Sequence, residues 1–217
     1  MGIMEGDFHF EMHYSTPCRT IKLVVGLTLS NMATAKENVT KILAEINAVL
    51  SRIDDKEVRD LTKEIREAKK IVVAGAGRVG LAARGFASRL GHLGLEAYML
   101  GDATVPAIGM GDLFLVASGS GETQTIYDLA VIAKKNQSRI ALITGNRESR
   151  MGKLADLIVD IKAPSKVKSV TGFTSIQPMT TLNEQCLGIF FDAVVLGLMA
   201  ETKETHETMW SRHSNLE

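Results

Sequence analysis

Five short runs rich in branched apolar residues, Ile71–Ala74, Ala97–Leu100, Leu113–Ala117, Ile140–Ile143 and Leu157–Ile161, recur along the chain, and helices of about 12–15 residues fit between most of them. The runs lack the apolar–polar alternation of a half-exposed sheet, so they read as strands covered on both faces. Strands of this kind alternating with helices predict a parallel sheet, and right-handed crossovers make it a three-layer α/β/α sandwich of five strands. Residues 79–93 read as a helix with Leu81, Phe86 and Leu90 facing inward. Two helices precede the sheet. Val39, Ile42, Leu43, Ile46, Val49 and Leu50 share one face of the first; Asp54 and Asp55 can cap the second, whose apolar side is Val58, Leu61 and Ile65. Leu182–Met199 is a long helix apolar on nearly every side, which predicts that it is enclosed by its own core or by another subunit.

Composition removes several classes of function. The 217 residues carry 25 basic and 25 acidic side chains, so bulk positive potential cannot hold a nucleic acid. No run approaches the roughly 18 uninterrupted apolar residues of a membrane span. The length fits one domain, placed at residues 32–217. Residues 1–31 read as an extension: Glu5, Asp7 and Glu11 precede the apolar run Ile21–Leu29, where a signal peptide would be basic, and Met32 makes a natural start. Of the two cysteines, Cys18 has no assigned role and Cys186 reads as a buried thiol, which fits a reducing, cytoplasmic compartment.

In a doubly wound fold the ligand sits beyond the carboxyl ends of the strands. Two loops there carry chemistry. Gly75-Ala-Gly-Arg-Val-Gly80 follows the first strand and has the G-x-G-x-x-G spacing of dinucleotide binders, with Asp102 after the second strand near where a ribose-binding acid would lie; alone the pattern is weak, because glycines also serve tight turns. Ser118-Gly-Ser-Gly-Glu-Thr123 follows the third strand. Its hydroxyls and bare amides converge where the next helix begins, a site suited to the oxygens of a phosphate monoester, and the absence of a G-K-[ST] ending separates it from a triphosphate loop.

These stretches resemble the sugar isomerase (SIS) domains. More specifically, residues from about 38 to the C-terminus resemble the 6-phospho-3-hexuloisomerase family, through Ala74–Gly80, Arg89–Gly94, Gly119–Thr123, Gln177-Pro-Met, Glu184-Gln185 and Arg212-His-Ser-Asn-Leu-Glu217. The resemblance implies interconversion of D-arabino-3-hexulose 6-phosphate and fructose 6-phosphate within the ribulose monophosphate route, with neither metal nor nucleotide cofactor, in a homotetramer. Phosphate contacts are expected from Ser118, Gly119, Ser120, Gly121 and Thr123, and further substrate contacts from Gly77 and Arg78, a guanidinium being suited to phosphate or hydroxyl oxygens. The reaction needs a base to move a proton between adjacent carbons. Glu184, early in the apolar helix, is the candidate, and the resemblance points to it as well. His213 is the second, acting from a tail docked in a neighbouring subunit's cleft; His92 reads as packed or hydrogen-bonded. Asp102, Thr104 and Pro106 are candidates for the cleft wall, and Thr180 and Thr181 are candidates either to cap the helix of Glu184 or to contact substrate. The chain departs from the family pattern at Val79, where serine is usual, at Asp102, where glutamate is, and at Asn183, where an aromatic is. Another phosphosugar aldose–ketose isomerase and a non-catalytic sugar-phosphate sensor remain as alternatives.

Overall fold

The apolar runs pair into one sheet in the computed structural model, which describes residues 34–164 and 173–216; the N-terminal extension and Cys18 lie outside the described residues. The strands are β1 (Ile71–Ala74), β2 (Ala97–Met99), β3 (Leu113–Ala117), β4 (Arg139–Thr144) and β5 (Leu157–Asp160), all parallel, in the order β2-β1-β3-β4-β5. Every residue of β1 and β3 is buried, as strands covered on both faces require.

The pleat sends alternate side chains into two separate cores. Ile71, Val73, Leu115 and Ile143 face a layer made by α1 (Ala35–Leu50), α2 (Asp55–Glu67), α3 (Gly77–His92) and α6 (Thr181–Thr202). Val72, Phe114, Val116 and Leu142 face α4 (Gln124–Lys135) and α5 (Arg150–Leu154). A five-residue α7 (His206–Trp210) follows α6. Local signals set the helix ends as expected at α2, where Asp54 accepts a hydrogen bond from the Lys56 N–H at 2.7 Å. The helix between β4 and β5 is only five residues long, held at its start by Ser149, whose hydroxyl accepts from Gly152 N–H.

One inward assignment needs correction, and one apolar face is covered only in part. Leu81 is 69 % exposed on α3, and Val39 and Leu43 are 53 % and 57 % exposed on α1. Apolar period identifies the helix, but the layer beneath covers a stripe narrower than the sequence pattern, and only Ile46 and Val49 of α1 are buried. The same holds for α6. Its inner face, from Leu182 to Leu198, packs into the first core, with Phe86 of α3 stacked on Phe191 at 4.4 Å, while Ile189 and Leu196 stay exposed outside. Among the described residues, α6 is the one helix long and apolar enough to cross a membrane; Glu184 and Asp192 interrupt it and its inner face is part of this core.

Candidate active site

The strand order reverses direction between β1 and β3, and there the loops after the two strands part. The gap is a cleft of about 440 Å³, within the range of small-molecule sites. Its walls are Ala76–Val79 from the first loop, Ala117–Ser120 and Thr123 from the second, and Met179–Thr181, Asn183 and Glu184 from the start of α6.

The loop after β3 is built to leave its donors available. Ser118 Oγ accepts from Gly121 N–H and Ser120 Oγ from Glu122 N–H, both at 3.2 Å. A hydroxyl that accepts from an amide still has its own proton to donate. Thr123 is the N-cap of α4, yet its side chain makes no capping bond. The helix N-terminus adds partial positive charge. The loop's one carboxylate is neutralised away from these groups: Arg150 donates its backbone N–H and its Nε to Glu122, and these bonds hold that carboxyl below the usual range. Gly121 lies behind the wall rather than on it. Its φ of 66° suits glycine, and a Cβ there would collide with Ser149 Oγ. Gly119 lines the cleft, and its missing Cβ leaves room for Asn183.

Opposite stands the carboxylate. Glu184 Oε1 accepts from Thr180 Oγ1 at 2.9 Å, and Oε2 pairs with Arg78 Nη1 at 3.2 Å. The glutamate side chain is 15 % exposed and the arginine 60 %, so the carboxylate is recessed while its partner reaches the mouth. Arg78, expected at a phosphate or hydroxyl, thus holds Glu184 and remains within the same cleft. Gly77 in turn takes a φ of 58° that lets the chain turn from β1 into α3. Gly75 and Gly80 press together, a Cβ on Gly80 falling 2.7 Å from Gly75 O, so the dinucleotide-like spacing here serves close packing.

Other assignments fall elsewhere. Asp102 pairs with Arg84 at 2.8 Å outside the cleft, and neither Thr104 nor Pro106 lines it; the peptide after β2 turns away to cover the second core. His213 also lies away from its own cleft. Its ring packs 5.0 Å from that of His92 in the last turn of α3, whereas Gly77 and Arg78 in the first turn line the site. A 16-residue helix is about 24 Å long, which separates the two. Arg212 fixes this tail by donating to the His92 carbonyl and to Glu204. Cys186 is fully buried, and burial, with the Glu45 charge adding, pushes its thiol up to about 12.

Sequence reasoning missed Glu45. From α1 it accepts hydrogen bonds from Ser175 Oγ, Ile176 N–H and Gln177 Nε2, anchoring the segment that leads into α6. Burial pushes this carboxyl up, but the bonds from Gln177, Ile176 and Ser175 outweigh it and hold the group below its usual range. Nothing in the sequence marks a partner about 130 positions away.

A parallel sheet with a Ser-Gly loop and a helix-borne glutamate at its switch point defines a sugar isomerase domain, and the SIS domain family matches residues 64–187. The chain is 41 % identical over 181 residues to 3-hexulose-6-phosphate isomerase of Bacillus subtilis, covering 83 % of this chain and 98 % of that one. It is 39 % identical to 3-hexulose-6-phosphate isomerase of Mycobacterium gastri, covering 89 % and 94 %. A Methanococcus jannaschii structure, for which a molecular function of 3-hexulose-6-phosphate isomerase has been inferred, superposes with a TM-score of 0.73 at 29 % identity, over 83 % of this chain and 99 % of that chain. The chain belongs to the SIS-domain family and, within it, to the 3-hexulose-6-phosphate isomerases, a family of phosphosugar isomerases.

Proposed function

We propose that this isomerase interconverts D-arabino-3-hexulose 6-phosphate and fructose 6-phosphate, in the cytoplasm and within the ribulose monophosphate route. The observation that carries the reading is that the Ser118–Thr123 loop and the Glu184 carboxylate open onto one cleft. The phosphate is held by the hydroxyls of Ser118, Ser120 and Thr123 and by the amides at the start of α4. That places the reacting carbons toward Glu184. The carboxylate removes the proton from C2 of the 3-ketose, an enediolate forms across C2 and C3 with its charge on O3, the proton of the C2 hydroxyl passes to O3, and the proton held by Glu184 returns to C3 to leave the carbonyl at C2. Arg78, beside Glu184, faces the oxygen on which negative charge develops. No cofactor enters this sequence of steps. The exposed apolar residues Val39, Leu43, Leu81 and Leu196 supply contact surface for a homotetramer, and His213 reaches a neighbouring subunit's cleft.

Synthetic 3-hexulose 6-phosphate, followed by NMR, tests the reaction directly: fructose 6-phosphate should accumulate to equilibrium. Turnover of a different phosphosugar alone would reassign the substrate, and no turnover of any would leave a binding protein. Ser120→Ala should weaken fructose 6-phosphate binding by about 1–3 kcal/mol, the cost of one hydrogen bond to a charged group, in a calorimetric titration. Unchanged affinity would remove Ser120 from the phosphate site.

A further inference from the structure

Asn183 is 1 % exposed, and neither its Oδ1 nor its Nδ2 has a hydrogen-bond partner in the protein. Leaving both ends of an amide unpaired in a buried place is costly, so a fold keeps such a group where something else supplies the partners. This amide is in the wall of the cleft, one residue before Glu184, and lies against Gly119 of the opposite loop, where a Cβ would collide with it. The polar side chains around it are committed. Thr180 donates to Glu184, Thr181 donates to the Pro178 carbonyl, and Arg78 pairs with Glu184. Ser118 and Ser120 of the opposite loop keep their hydroxyl protons, but neither bonds the amide, which leaves the cleft as the place from which a partner enters.

We propose that Asn183 reads the sugar itself, hydrogen-bonding the hydroxyls that lie between the phosphate and the reacting carbons; the inference rests on the phosphosugar reading of this cleft. Two points select hydroxyls over the phosphate. The amide has a donor and an acceptor both unpaired, and a phosphate ion chiefly accepts, whereas a hydroxyl gives and takes. Asn183 also joins the two ends of the site, touching the phosphate loop at Gly119 and preceding Glu184 in the first turn of α6. In a hexulose 6-phosphate reacting at C2 and C3, the stretch between those ends is C4 and C5, each with a hydroxyl. The terminal torsion of asparagine is soft, so the amide turns to face them without leaving its rotamer at Cβ. Asn183 is thereby a specificity-determining residue, distinct in role from the base beside it.

Asn183→Leu keeps the number and branching of the side-chain heavy atoms and removes both polar ones. It should bind fructose 6-phosphate at least about 10-fold more weakly by calorimetry while binding inorganic phosphate as the wild type does. Asn183→Ala, which cannot overfill the site, should show the same split between the two ligands. Wild-type affinity for fructose 6-phosphate in both variants overturns the inference and leaves the phosphosugar reading standing, as does an equal loss for inorganic phosphate, which would assign the amide to the phosphate loop. A wild-type protein that binds inorganic phosphate but no hexulose phosphate overturns the phosphosugar reading and this inference with it.

Discussion

Glu184→Gln should reduce turnover of 3-hexulose 6-phosphate by at least about 100-fold while leaving sugar-phosphate affinity nearly intact, since a positioned base contributes roughly 10²–10⁴ to such a step. The substitution is close to isosteric. The amide oxygen can still accept from the Thr180 hydroxyl, so the first turn of α6 keeps its bond. What disappears is the charge that pairs with Arg78 and the ability to take a proton. An arginine released from that pair is freer to meet a ligand oxygen, which is why binding should not fall in step with turnover. The chemistry supplies a second reading of the same variant. In D2O a base that exchanges with solvent places deuterium at C3 of fructose 6-phosphate, and this label should fade with turnover in Glu184→Gln. If turnover and labelling persist, another group moves the proton and Glu184 is a binding residue.

The fold was legible because its determinants are local. β3 runs from Leu113 to Ala117 as its apolar run does, and the neighbouring strands differ by a residue or so at an end, where pairing rather than composition decides the limit. The Ser-Gly loop was legible for the same reason: a strand followed by hydroxyls and glycines has few other uses. The misreadings concern what covers a surface. Leu81, Val39 and Leu43 carry a helical period, yet nothing in a period says how wide the covering layer is. α5 and α7, at five residues each, are too short to show a period at all. The site was half legible. Glu184 stood out as a charge in an apolar helix and Arg78 as a guanidinium at the first strand's end, but their pairing did not, because it joins elements more than 100 positions apart in the chain. Asp102 was assigned to the cleft by its place after a strand, and the path of the peptide after β2, where Arg84 takes it, decided otherwise. Asn183 offered a signal that went unused, a polar residue on the buried stripe of α6.

His213→Ala should also lower turnover by about 100-fold or more, the range of a proton-transferring group, with unliganded stability little changed. The argument for so large an effect from a tail residue is geometric. Within one chain the imidazole lies against His92, a helix length from Arg78, so it has no route to its own cleft while Arg212 keeps the tail on the α3–β2 turn. A role in catalysis therefore requires a second subunit, and that requirement has a signature. Neither Glu184→Gln nor His213→Ala should be active alone, but subunits mixed under exchange should recover about a quarter of wild-type activity, because one site in each mixed pair combines an intact Glu184 with an intact His213 from its neighbour. A site built from one chain cannot be repaired this way. Full activity in His213→Ala would make the tail structural, and loss without recovery on mixing would mean that its imidazole serves the subunit that carries it.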